Sequence, residues 1–133
     1  MTRMARRHEA HAEPRSATGA FVYMLVGPIA WALHLAAIYG AHALACARPG
    51  AGAAEADLAR LVVLVATCVL IAALAAALLF RHATARLFRA AGGDGVQRAF
   101  QLRVMTVLAL LSALAIAWAG ATAIAVPACL ALR

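Results

Sequence analysis

Acidic residues are scarce in this chain, and none lies within its long hydrophobic runs. The 133 residues include five acidic ones, all in tails or loops: Glu9, Glu13, Glu55, Asp57 and Asp94. Ion-coupled transporters and small multidrug exporters usually need a carboxylate inside the membrane, so this class of protein is disfavoured. The sequence also lacks a phosphate-cradling glycine motif and a visible Ser-His-Asp set. We therefore expect no catalytic residues and a chain that is not itself an enzyme.

Charged residues of any kind are few, and hydrophobic residues make up most of the chain. The sequence is 66% hydrophobic and 13% charged, more apolar surface than a soluble domain of this size can bury. Three hydrophobic runs predict transmembrane spans at about residues 21–45, 59–80 and 104–126. The predicted fold is an all-α integral membrane protein, with a basic cytoplasmic tail at 1–18 and a three-helix transmembrane domain at 19–133. The second helix is expected to continue past the membrane to Gly92 and Gly93, which stop it.

Lysine is absent, and the twelve basic residues are all arginine. Nine of them lie in the N-terminal tail or between the second and third spans, and three lie elsewhere: Arg48, Arg60 and Arg133. This asymmetry predicts an N-terminus inside and a C-terminus outside. The net charge of +7 therefore indicates topology, and we expect no nucleic-acid partner. The arginine and alanine usage suggests a bacterial genome, so we expect a multi-pass protein of the bacterial inner membrane.

The first span carries an unusual set of polar and aromatic side chains. On a helical wheel at about 100° per residue, they fall within an arc of about 140°. We call five of these residues the polar stripe: Gly27, Trp31, His34, Tyr39 and His42. A helix with such a face turns it to protein and the remainder to lipid. The polar stripe is therefore the predicted interface with a larger membrane protein complex.

His34 lies near the middle of the predicted bilayer, where an imidazole is a functional hypothesis by default. It could bind haem or a metal, relay protons or anchor a partner subunit. It could equally be a neutral imidazole bonded to a neighbouring helix. Hydroxyls in the other spans could supply that bond or could bond to their own backbone: Thr67, Thr106, Ser112 and Thr122. The later spans contain no histidine, so a haem held by two histidines would need another chain.

Three cysteines are present. With the predicted topology, Cys46 and Cys129 face the same oxidising compartment and could form a disulfide. Free thiols are a second possibility, and a copper site of Cys46, His42 and Cys129 is a third. Cys68 is expected to be a small buried side chain.

The first span is similar to that of a known group of membrane proteins. The run from Gly27 to Cys46 resembles the first span of small three-helix proteobacterial inner-membrane proteins associated with haem-copper cytochrome c oxidases. The residues that carry the resemblance are Gly27, Pro28, Trp31, His34, Tyr39 and Cys46. The resemblance implies an accessory or assembly role in an aerobic respiratory chain, and it supplies no catalytic residues.

Two main functions follow as expectations. The first is an accessory or assembly subunit of a respiratory membrane complex, without a cofactor of its own, that docks through the polar stripe. The alternative is a membrane protein in which His34 or His42 binds haem or copper. A small pore or holin-like protein is a third reading.

Overall fold

In the computed structural model of the chain, residues 17–47, 53–88 and 95–125 are described. They form five helices and no strand: α1 (Ala17–Met24), α2 (Val26–Cys46), α3 (Ala53–Leu79), α4 (Arg81–Leu87) and α5 (Gly95–Ala125). The predicted all-α fold is confirmed. Most of the predicted cytoplasmic tail lies outside the described residues.

Three of these helices are long and apolar enough to cross a membrane, over Val26–Cys46, Ala54–Leu79 and Gly95–Ala123. Helices α2, α3 and α5 each pack against the other two. The end of α2 lies beside the start of α3, so these two helices are antiparallel. The same end lies beside the end of α5, so α2 and α5 run parallel. The result is a triangular bundle whose outer surface is largely apolar, as expected for a multi-pass membrane protein.

The first predicted span is divided at Leu25 into α1 and α2. Pro28 has no backbone N–H to donate to the carbonyl of Met24, and its ring clashes with that carbonyl in a continuous helix. The chain therefore turns at Leu25, whose N–H lies 3.0 Å from the Phe21 carbonyl oxygen and 3.2 Å from that of Val22. Pro28 then occupies the first turn of α2, where a missing N–H costs nothing.

The second membrane-crossing helix, α3, also differs from its prediction. It stops at Leu79 and does not continue unbroken past the membrane. Phe80 separates it from the short helix α4. The hydroxyl of Thr84 donates to the Phe80 carbonyl oxygen at 3.1 Å, a bond that bends helices. In the sequence, Asp94 with Gln97 three residues later predicts a helix start, and the third long helix, α5, begins at Gly95. Its first turns carry Arg98 and Arg103 ahead of the apolar span that was predicted to start at 104.

Alanines and larger apolar side chains together fill the centre of the bundle. One buried cluster contains Ala30, Leu74, Ala109 and Ile116. A second cluster, nearer to α1 and α4, is built on Tyr23 and Met105. Alanines let helix backbones approach closely, and the resulting van der Waals contact is a main source of helix association in lipid.

Candidate functional site

Gly27 lies where α2 crosses α5. It is buried, and a Cβ added there would lie 2.7 Å from the Leu108 carbonyl oxygen and 2.8 Å from the Ala109 Cα. Both of these atoms belong to the backbone, which cannot move aside as a flexible side chain can. Only glycine therefore permits this crossing, and Gly27 serves the protein's own bundle.

His34 is fully buried between helices. Its Nε2 lies 2.9 Å from the Thr67 hydroxyl oxygen, which lies 2.7 Å from the Val63 carbonyl oxygen. Because a carbonyl oxygen only accepts, the single hydroxyl proton of Thr67 goes to Val63. The His34 Nε2–H then donates to Thr67, so the geometry assigns a proton to Nε2.

The other ring nitrogen of His34 has no such bond. His34 Nδ1 is buried without a hydrogen-bond partner. An unpaired acceptor in an apolar interior lowers the stability of the fold. Loss of the bond to Thr67 would leave both ring nitrogens unpaired. His34 and Thr67 together form a polar link between α2 and α3.

Helix α5 packs against this polar link at Gly120. A Cβ added at Gly120 would lie 2.6 Å from the Thr67 hydroxyl oxygen and 2.9 Å from its Cγ2. The Thr67 side chain therefore fits against the bare backbone of α5. We call His34, Thr67 and Gly120 the three-helix junction.

Gly120 is a residue of this junction that was not predicted, although the sequence contains a signal for it. Ala109, Ser112 and Gly120 are small residues that recur at helical spacing along α5, and all three are buried. Such a row of small residues is typical of a helix interface in a membrane.

The remaining stripe residues lie nearer to the bundle surface. Trp31 is 41% exposed and Tyr39 is 72% exposed. His42 is partly buried and lines a groove of about 290 Å³ between α2 and α5, with Leu35, Ile38, Tyr39, Ala119, Thr122 and Ala123. We call Trp31, Tyr39 and His42 the outer face of α2.

The polar stripe therefore divides in two, and this corrects the predicted interface. Gly27 and His34 are covered by the other two helices and cannot touch a partner protein. Of the polar stripe, only the outer face of α2 lies at the surface of the bundle. The predicted arc of the polar stripe is wider than the part of α2 that α3 and α5 cover. The edge with Gly27 and His34 therefore faces the bundle, and the edge with Tyr39 faces outward.

The hydroxyls of the third span bond within their own helix. Thr106 donates to the Leu102 carbonyl oxygen at 2.7 Å, and Thr122 donates to that of Ala119 at 3.0 Å. Among the hydroxyls considered in the sequence, that of Thr67 is bonded to a residue of another helix. It was singled out only as one candidate among several.

The histidines do not converge on a metal site within residues 17–47, 53–88 and 95–125, where no group of three or more His, Cys, Asp or Glu side chains could hold an ion. His34 and His42 are eight residues apart, or about 12 Å along the helix. The Nε2 of His34 is already bonded to Thr67. A copper ion bound at His34 or His42 would therefore need further ligands from outside the described residues or from another chain.

The cysteines lie in different surroundings. Cys46 ends α2 and is exposed, while its predicted disulfide and copper-site partner Cys129 lies outside the described residues. Cys68 is a free, exposed thiol. The prediction that Cys68 is buried was wrong, because it lies beside Thr67 in sequence but faces away from the bundle.

Comparisons with protein-family models, with curated proteins and with solved structures found no match. The function is therefore inferred from the bundle and from the outer face of α2.

Proposed function

We propose that this chain is a non-catalytic accessory or assembly subunit of a larger membrane complex. The observation that carries the proposal is the outer face of α2, where aromatic and imidazole side chains are presented at the surface of a membrane-spanning helix. A groove shared with α5 adjoins them.

Lipid alone is a poor neighbour for these side chains. Trp31, Tyr39 and His42 lie inside the span Val26–Cys46, at about 8, 10 and 6 Å from its nearer end. None of the three makes a side-chain hydrogen bond to another residue in the described ranges. Within the hydrocarbon, an indole N–H, a phenol or an imidazole lacks the polar partner that water would provide. A helix of another membrane protein could provide both that partner and a side chain for the groove.

The identity of the partner is proposed from the first span. Its resemblance to proteins associated with haem-copper cytochrome c oxidases favours a respiratory oxidase in a bacterial inner membrane. The chain would then be a structural or assembly component of an oxidoreductase without reacting itself.

Alanine substitutions on the outer face test the docking proposal. Trp31→Ala and Tyr39→Ala should each weaken association with the partner complex roughly tenfold, because large aromatic side chains contribute most to interface energy. The measurement is the amount of partner complex recovered with the tagged chain from membranes in mild detergent.

Leu33→Ala is the matched control, because Leu33 is also exposed on α2 but faces another direction. It should leave recovery unchanged, and all variants should be present at equal levels in the membrane. Equal losses from Leu33→Ala and Tyr39→Ala would refute a specific docking face.

We also propose an orientation of the chain in the membrane and a disulfide between Cys46 and Cys129. The arginine asymmetry favours an N-terminus inside, which places the end of α2 on the outer side. His42 lies level with Thr122 and Ala123 of α5, and Cys129 follows six residues after Ala123 in the sequence. Cys46 and Cys129 are therefore our proposed disulfide pair in the oxidising compartment.

One labelling experiment tests both points in a Cys68→Ser background. A membrane-impermeant maleimide added to intact cells with a permeable outer membrane should label neither remaining cysteine before reduction and both afterwards. Labelling before reduction would disprove the disulfide. Labelling of the reduced protein only after the inner membrane is opened would disprove the orientation.

Haem or copper binding is the alternative function, and the unpaired Nδ1 of His34 is the observation in its favour. An absorption spectrum and metal analysis of the purified chain with its partner separate the two functions. A haem band or stoichiometric copper that is lost in His34→Gln would favour the alternative, whereas we expect neither signal to depend on His34.

A further inference from the structure

The chain leaves its second membrane-crossing helix at a corner that carries large exposed apolar side chains. Helix α3 ends at Leu79, where the apolar span also ends, and Phe80, with φ of −101° and ψ of 32°, separates it from α4. Leu79 is 79% exposed and Leu87 is 78% exposed, and Phe80 is exposed as well. We call the exposed residues here the α3–α4 corner: Leu79, Phe80, Arg81, His82, Ala83, Arg86 and Leu87.

The opposite side of α4 is fixed to the bundle. Ala85 and Phe88 pack against the buried cluster of Tyr23 and Met105, and the Tyr23 hydroxyl lies 3.4 Å from the Arg81 carbonyl oxygen. These contacts determine which side of α4 faces outward. The α3–α4 corner is therefore a fixed surface of the folded chain.

Apolar and basic side chains of the corner border one groove. It has a volume of about 610 Å³ and lies along the end of α3 and along α4. Its apolar lining comes from Leu79, Phe80, Ala83 and Leu87, and its polar lining comes from His82 and Arg86. The two kinds of side chain therefore meet in a single exposed surface.

The α3–α4 corner is basic. The sequence contains no acidic residue between Asp57 and Asp94, a stretch that includes the whole corner. Asp57 lies near the start of α3, about 33 Å along the helix from Leu79. Neither Arg81 nor Arg86 forms a salt bridge with another described residue. The charge of the corner therefore suits a negatively charged surface.

The headgroup layer of a bilayer suits both halves of the corner. The corner begins where the apolar span ends, so it lies at the edge of the hydrocarbon. Water around it would leave three large apolar side chains exposed, and hydrocarbon around it would surround two guanidinium groups at a high energetic cost. In the headgroup layer, apolar side chains reach the acyl chains while guanidinium groups reach the phosphates. Depth and charge together favour a lipid surface as the neighbour of the corner.

From this juxtaposition we propose that the α3–α4 corner is an interfacial anchor for an anionic phospholipid leaflet. Phe80 and Leu87 lie among the upper acyl chains, and Arg81 and Arg86 lie among the headgroups. The anchor contacts the leaflet as a surface and needs no single bound lipid molecule. It lies on other helices than the outer face of α2, so it does not depend on the proposed function.

Tryptophan quenching by brominated lipids tests the proposal in the full chain. Leu87→Trp, combined with Trp31→Phe and Trp118→Phe, places the only tryptophan at the corner. Vesicles contain equal parts of phosphatidylglycerol and phosphatidylcholine, and one lipid at a time carries bromine on its acyl chains. Phosphatidylglycerol should associate with position 87 more than about fivefold better than phosphatidylcholine, and Arg86→Gln should lower this preference about fivefold, since one basic residue contributes about that factor at an anionic surface.

Two controls separate a local anchor from a general attraction. Trp31→Phe alone leaves Trp118, which is exposed near the other end of the bundle, and both lipids should quench it equally. Arg103→Gln removes the same charge from an exposed position outside the groove and should leave the preference at position 87 unchanged, with helix content equal in all variants.

Equal quenching at position 87 by the two lipids would overturn the proposal. Equal effects of Arg86→Gln and Arg103→Gln would overturn it in favour of general attraction to a basic chain. Absence of quenching by either lipid would also overturn it, because the corner would then lie in water or against another protein.

Discussion

Replacing Gly27 with leucine should prevent the bundle from closing. The Cβ of any new side chain would lie 2.7 to 2.8 Å from backbone atoms of Leu108 and Ala109, so α2 and α5 must separate along their crossing. We expect Gly27→Leu to lower the free energy of unfolding by more than about 3 kcal/mol, and Gly27→Ala to lower it by about 1 to 3 kcal/mol. Unfolding in mixed detergent micelles, followed by circular dichroism, measures both.

Gly40→Leu provides the control in the same helix. An added Cβ at Gly40 meets nothing within 4 Å, so this variant should be as stable as the original chain or slightly more stable, since glycine weakens a helix. If Gly27→Leu unfolds no more easily than Gly40→Leu, the crossing of α2 and α5 described here is incorrect.

Removing the hydroxyl of Thr67 should cost more than removing the imidazole of His34. Thr67→Val keeps the shape of the side chain but leaves both ring nitrogens of His34 without a partner, since Nδ1 already has none. We expect a loss of about 1 to 3 kcal/mol. His34→Leu should cost about 0.6 kcal/mol, the average for a polar contact in a membrane protein, because Thr67 keeps its bond to the Val63 carbonyl.

A double-mutant cycle tests the hydrogen bond between His34 and Thr67 directly. Adding His34→Leu to Thr67→Val should recover stability, because the unpaired imidazole is then gone. His34→Gln should retain most of the original stability, since its amide can still donate to Thr67. The same micelle unfolding assay applies. A His34→Leu variant less stable than Thr67→Val would contradict the hydrogen-bond assignment.

The sequence predicted the number of long helices well, but not the breaks at Leu25 and Phe80. Hydropathy identified all three membrane-crossing helices because each is strongly apolar. It placed the start of the third span at 104, because Arg98 and Arg103 lower the hydropathy of a segment without preventing it from being helical. The break at Leu25 follows from Pro28, whose missing N–H interrupts the helix, whereas hydropathy stays high through this position and so does not mark the break.

The sequence predicted how deep the site residues lie in the membrane, but not which way their side chains face. The sequence places His34 in the middle of a span, yet the choice of Thr67 as its partner depends on the rotation of two helices about their axes. The helical wheel grouped His34 with Tyr39 because both fall within the same arc of about 140°. The structure separates them, with His34 fully buried and Tyr39 72% exposed, because helix packing covers only one edge of the arc.

Photo-crosslinking from position 39 tests the docking proposal most directly. Benzoylphenylalanine in place of Tyr39, irradiated in native membranes, should form a discrete adduct with a membrane subunit of a larger complex. The same residue in place of Leu33 should form none. Adducts of equal yield from both positions, adducts only with a second copy of this chain, or no protein adduct from position 39 would contradict the proposed accessory role.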